Sequence, residues 1–158
     1  MIKKIDKQTL DNLCAEAKQT DRQRKNLNYH SNFNDPINRM LNAVEPGSYV
    51  QPHKHENPDK REVFILLRGK MAVVFFDDDG NITENLILDN KENYGVEIPP
   101  AVWHTIIALE RGTVVYEVKD GPYSPSDDKN FASWAPKEDE KESADYIRHI
   151  LKSLKITL

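Results

Sequence analysis

The stretch GSYVQPHKHENPDKREVFILLRG (47–69) decides how this chain is read. It holds two histidines one residue apart, His53 and His55, and a carboxylate, Glu62, on the next apolar run. A third histidine, His104, follows in IPPAVWHTI (98–106). Successive side chains of a β-strand point to opposite faces, so His53 and His55 share one face. Three imidazoles and one carboxylate converging on a point make a site for a first-row transition metal. The sequence therefore predicts a small metal-binding β-barrel.

Working outward from that stretch, the runs INRMLNAV (37–44), SYVQP (48–52), EVFILL (62–67) and KMAVVFF (70–76) are rich in β-branched and aromatic residues. DDDG (77–80) marks a hairpin turn. ITENLILD (82–89), YGVEIP (94–99), HTIIAL (104–109) and TVVYEV (113–118) complete eight short runs with turn signals between them and no helical pattern. That rhythm predicts a mainly β fold, an antiparallel sandwich or barrel, with a jelly roll as the natural candidate over 37–119.

Helices are expected at both ends. Leu10, Leu13, Cys14 and Ala17 form one helix face over about 6–19, with Asp6 as N-cap. Ile147, Ile150, Leu151 and Leu154 form the stripe of an amphipathic helix over 141–155, with Ser143 as cap and His149 off the stripe. The stripe needs a surface, either the barrel or a second copy of the chain. Between the first helix and the barrel, DRQRKNLNYHSNFNDP (21–36) has neither strand nor helix periodicity and reads as a polar connector. DGPYSPSDDKNFASWAPKEDE (120–140) reads as an ordered extended arm, because Tyr123, Phe131 and Trp134 need something to pack on.

Composition bounds the rest. At 158 residues, with 38% hydrophobic and 30% charged, the chain suits one globular domain over 1–158. A net charge of −4 argues against a nucleic-acid binder. No apolar run reaches membrane-span length and the first residues lack a signal-peptide pattern, so a cytoplasmic setting is expected. The single cysteine, Cys14, lies on the helix stripe and reads as a buried apolar thiol.

The metal stretch resembles the first cupin motif, with Gly47, His53, His55, Glu62 and Gly69 in place. Six residues separate His55 from Glu62 where the motif usually has three or four. The second cupin motif is matched by Pro99 and His104, with Ala101 in place of a glycine and Ala108 in place of the closing asparagine. The resemblance implies that His53, His55, Glu62 and His104 bind one divalent transition metal (Zn, Fe, Mn or Ni) inside a cupin-type jelly-roll barrel. RQRKNLNYH (22–30), PGSYVQPHKH (46–55), VFFDDDGNI (74–82), IPPAVWH (98–104), EVKDGPYSPSDDK (117–129) and FASWAP (131–136) are similar to the WbuC-type cupin metalloproteins of bacterial surface-polysaccharide (O-antigen) functions. That likeness makes 21–36 part of the functional unit rather than a mere connector.

For chemistry, such a metal can polarise a carbonyl or vicinal hydroxyls, which suits a sugar isomerase or epimerase working on a sugar or nucleotide sugar. A non-catalytic metal-dependent binding or regulatory protein and an Fe(II) oxygenase stay open on the residues alone. Proton-transfer candidates are Tyr49, Glu117 and His30, with Tyr116 and Lys119 behind them. Substrate-binding candidates are Arg22, Arg24, Asn28, Arg39, Lys119 and Tyr123, the arginines because they suit phosphate or a sugar carboxylate. Trp103 is expected to pack rather than to form a sugar platform. Barrels of this type often pair through an outer sheet face, so a homodimer is a further expectation.

Overall fold

In the computed structural model, which describes residues 2–157, the elements are α1 (Lys7–Lys18), β1 (Arg24–Asn28), β2 (Ile37–Val44), β3 (His53–Lys54), β4 (Glu62–Arg68), β5 (Met71–Phe76), β6 (Ile82–Leu88), β7 (Gly95–Ile98), β8 (Trp103–Ala108), β9 (Thr113–Asp120), β10 (Asn130–Phe131) and α2 (Ser143–Ser153). Two antiparallel five-stranded sheets face each other, in the orders β1-β2-β9-β4-β7 and β10-β3-β8-β5-β6. This is the mainly β, jelly-roll-like arrangement with a helix at each end that the strand rhythm predicts.

Alternation along the strands divides inside from outside. Phe64 and Leu66 of β4, Met71 and Val73 of β5, Ile106 and Ala108 of β8 and Val115 of β9 meet between the sheets. The alternate positions face outward, and the helices cover part of that outer surface. Leu13, Cys14 and Ala17 of α1 pack on Leu41, Ala43 and Val114 of the first sheet. Ile147, Ile150 and Leu151 of α2 pack on Ala72, Val74, Phe76 and Ile107 of the second. Both helical stripes are thus covered by the chain's own barrel. Asp6 caps α1, accepting a hydrogen bond from the Thr9 amide at 2.9 Å. Ser143 does not cap α2; it is the first helical residue, and Glu142 before it makes no side-chain cap.

Two strand expectations are corrected. SYVQP (48–52) is not a strand, because side chains and a distant amide take its carbonyls in place of a ladder. Arg24 donates to Tyr49 O at 2.7 Å, Thr105 to Val50 O at 2.5 Å, and the Ala132 amide to Pro52 O at 2.9 Å. Conversely, 24–28 of the polar segment is a strand, β1, paired from Arg24↔Val44 to Asn28↔Met40. It lines a polar cavity, so its inner face carries no apolar signal.

The arm 120–140 is anchored as expected. Tyr123 packs at a tilt against Phe33, Trp134 lies against Phe76 and Trp103, and Phe131 pairs with His53 in the register of β10 and β3. Gly69 is needed where it stands. Its φ is +82°, and a Cβ there would lie 2.3 Å from Thr113 Oγ1.

Candidate metal centre

The four motif residues come from both sheets. Glu62 opens β4 in the first sheet; His53 of β3 is the cross-strand partner of His104 of β8 in the second. His55 follows β3 directly. All four side chains are buried, and one donor atom from each lies within 4.8 Å of every other. Ala101, which stands at the place of the motif's glycine, keeps a left-handed φ of +63° and donates its amide to His55 O at 3.0 Å. The loop shape survives without the glycine.

Hydrogen bonding fixes the imidazoles. His53 Nδ1 faces Gln51 O at 2.9 Å, His104 Nδ1 faces Val102 O at 2.9 Å and His55 Nδ1 faces Asp128 O at 2.5 Å. A carbonyl oxygen only accepts, so each Nδ1 carries a proton, and a ring with no second proton presents its Nε2 lone pair. Nε2 of His104 and of His55 lie 2.9 and 3.3 Å from the same oxygen, Oε2 of Glu62. Electron pairs then face one another, and a cation is required between them. A proton on one imidazole can serve, and a divalent metal serves all four groups at once. Burial opposes charge on Glu62, but where that proton sits on Nε2 of His104 or His55 its hydrogen bond to Glu62 outweighs burial and holds the carboxyl well below the usual range. Burial, then the nearby His104 and Lys129, hold the His53 imidazole well below its ordinary value, which keeps it neutral. The donor set fits a divalent transition metal.

Beside the donors lies a chain of buried polar groups. Glu117 on β9 accepts a hydrogen bond from Asn42 Nδ2, and burial together with the Glu62 charge pushes its carboxyl up to about 8. Lys119 Nζ lies 3.9 Å from Glu117 and donates to Asp128 Oδ2 at 2.7 Å. Lys60, 2% exposed, donates to Asp128 Oδ1 at 3.2 Å and to Pro122 O at 2.6 Å. Asp128 therefore holds two buried lysines with its carboxylate and a metal-facing histidine with its carbonyl.

The donors open into a cavity of about 470 Å³ whose walls include His53, Glu62, His104, Glu117 and Lys119. Asn28 and His30 also line it, with Tyr123 at its edge. His30 Nδ1 sits 3.1 Å from both the amide nitrogen and the carbonyl oxygen of Arg39. Other predicted site residues are committed elsewhere. Tyr49 lies outside this cavity: its hydroxyl donates to Pro136 O at 2.7 Å and its ring packs edge-on against Tyr146. Arg39 points outward and pairs with Asp35 at 2.7 Å, because alternation in β2 sends its neighbours Asn38 and Met40 inward. Arg22 and Arg24 border the cavity, but both guanidiniums clamp Glu138 of the arm, Arg24 at 2.7 Å. Trp103 packs, as expected, against Trp134 and donates Nε1–H to Asp78 at 2.9 Å.

Sequence reasoning missed Asn38, Asn42, Asp128 and Lys129. The first two carried a signal, since Asn38, Met40 and Asn42 alternate along INRMLNAV.

Fold and donor set together define a cupin-like barrel whose four buried donors could hold a metal ion. The chain belongs to the family described as domain of unknown function (DUF6016), whose model matches residues 5–88. No curated protein matches it. Among solved structures it is similar to CapF bound to the inhibitor 3-isopropenyl-tropolone, with TM-score 0.59 and 22% identity over 72% of this chain and 32% of that one. The capsular polysaccharide assembling protein CapF from Staphylococcus aureus gives TM-score 0.56 and 21% identity over 71% and 32%. A cupin superfamily protein from Desulfitobacterium hafniense gives TM-score 0.51 and 14% identity over 68% and 86%. The chain spans about a third of the length of the CapF structures. No helix among the described residues is long and apolar enough to cross a membrane.

Proposed function

We propose that this chain is a single-domain, metal-dependent cupin acting on a sugar or nucleotide sugar in bacterial surface-polysaccharide synthesis, of the WbuC type. One observation carries the reading: three of the four donors, His53, Glu62 and His104, line a cavity of about 470 Å³ together with Glu117, a buried carboxyl that in the metal-free chain is raised to about 8 by burial and by Glu62. A carboxyl tuned near neutrality is suited to passing a proton in either direction. Similarity to CapF, a capsular polysaccharide assembling protein, points toward sugars.

In this reading His53, His55, Glu62 and His104 hold one zinc, iron, manganese or nickel ion. A bound divalent ion would supply Lewis-acid polarisation of a carbonyl or hydroxyl oxygen. Glu117 holds or receives the substrate proton at Oε1, while the Asn42 amide fixes Oε2. Lys119, tied to Asp128, keeps a positive charge beside both carboxyls and stabilises negative charge that develops there. A cytoplasmic homodimer belongs to the same proposal. Exposed Ile65 and Tyr94, beside β4 and β7 on the outer face, support pairing of two copies there, since α1 packs on β1, β2 and β9.

The test is metal analysis followed by turnover. Elemental analysis should find close to one transition metal per chain, lost in His53→Ala and His104→Ala. The metal-loaded chain should convert at least one member of a nucleotide-sugar panel, and Glu117→Gln should lower kcat about 100-fold or more with metal content unchanged. Metal-loaded protein that turns over none of the panel would overturn the enzymatic reading.

A further inference from the structure

Asn38 is 1% exposed, yet neither Nδ2 nor Oδ1 of its amide has a hydrogen-bond partner. A buried amide with both ends unmet is costly and uncommon in folded proteins. Its surroundings sharpen the anomaly. It lines the same cavity as the metal donors, whose other buried wall groups are engaged. Asn42 is spent on Glu117, Lys119 on Asp128, and the Arg24 guanidinium on Tyr49 O and Glu138. Because both ends are free, the reading does not depend on which way the amide is turned.

Register places Asn38 relative to the metal. Asn38 on β2 is opposite Lys119 on β9, and Lys119 is opposite Glu62 on β4. The three side chains stand in one row across the inner face of the first sheet. With strands ~4.8 Å apart, Asn38 and Glu62 are separated laterally by ~10 Å. A ligand that reaches from the metal donors to Asn38 must lie across Lys119 and span about one ring with its substituents.

We propose that Asn38 is the far anchor of the ligand and that it binds hydroxyl groups on a neutral, ring-sized polyol such as a pyranose. The inference rests on the sugar reading above and adds where the sugar is gripped and by what. The amide offers two donors and one acceptor, and a hydroxyl answers both kinds at once. A carboxylate or phosphate would leave Oδ1 facing another acceptor. The cation in this row, Lys119, is already paired with Asp128 at 2.7 Å.

Two measurements test it on the full-length, zinc-loaded chain. The first is calorimetric binding of glucose, galactose, mannose and rhamnose, free and as nucleotide conjugates, with deoxy analogues of whichever binds. Asn38→Ala and Asn38→Leu should weaken the binding sugar about 10-fold or more without losing zinc, and one deoxy analogue should bind Asn38→Ala as well as it binds wild type. Wild-type binding that Asn38→Ala leaves unchanged overturns the anchor while the sugar reading stands. A wild-type chain that binds none of the panel overturns the sugar reading, and with it the ligand class named for Asn38. The second measurement is the melting temperature without sugar. Asn38→Leu should keep or raise it, since an unmet amide is replaced by an apolar side chain of similar size. A clear drop would mean that Asn38 is a structural residue and would overturn the proposal on its own.

Discussion

Asp128 joins more of this site than any other single residue. Its carboxylate holds Lys119 at 2.7 Å and Lys60 at 3.2 Å, and its carbonyl accepts from His55 Nδ1. Burial opposes its charge, but Lys119 and Lys60 outweigh burial and hold the carboxyl below its ordinary value. Asp128→Asn would leave two buried ammonium groups facing a neutral amide, and breaking a buried pair from one side costs about 3 kcal/mol or more. Urea unfolding should show that loss, while Asp127→Asn next to it, exposed, should be within about 0.5 kcal/mol of wild type. None of this was legible in the sequence, because Lys60 and Asp128 are distant in the chain and nothing local marks either as buried. His53, His55, Glu62 and His104 were legible, since strand alternation and strand-edge positions are local properties. Arg22 and Arg24 were misread for the converse reason. Composition shows a guanidinium, but not that Glu138, far along the chain, already occupies it.

At the scale of elements, apolar periodicity located most of the strands and both helices, and it failed where a strand serves the cavity. β1 puts polar residues toward the ligand space, so RKNLN carries no alternation of polar and apolar. SYVQP has the composition of a strand, but its carbonyls are bound by Arg24, Thr105 and the Ala132 amide. The amphipathic stripe of α2 left open whether a barrel or a partner covers it, and the packing answers barrel. Ile150, 2% exposed, belongs to the cluster with Ala72, Val74 and Ile107 on the face of the second sheet opposite the metal donors. Ile150→Ala should therefore cost about 3 kcal/mol in urea unfolding. Its metal content should match wild type, because no donor side chain touches this cluster. A variant that lost metal while staying folded would show that α2 supports the site directly.

Across the whole molecule, the site is a seam: Glu62 belongs to one sheet and the three histidines to the other or its flank. Its buried carboxyls make folding stability depend on pH in two opposite ways. Glu62 is held well below 4.5, so its contribution is present above that ordinary value and is lost as pH falls through the depressed one. Glu117 is raised from 4.5 to about 8 by burial and then by Glu62. Between those two values the folded chain holds a proton that the unfolded chain has released. Stability from Glu117 is therefore complete below 4.5 and is lost as pH rises through about 8. The two carboxyl windows do not overlap, but His53, held neutral in the folded chain, adds stability as pH rises through 6.5, so Glu117 is read from the difference between wild type and a variant that cannot ionise there. For metal-free protein in a chelator, unfolding free energies from urea titrations at pH 5 to 9 should fall with pH by at most about 1.4 kcal/mol per unit from this group. Glu117→Gln, which keeps an oxygen for the Asn42 amide but cannot ionise, should remove that slope and leave the acid limb below pH 4.5 in place. Equal slopes in the variant and wild type would mean that Glu117 is not the neutral carboxyl on which the proposed proton transfer depends.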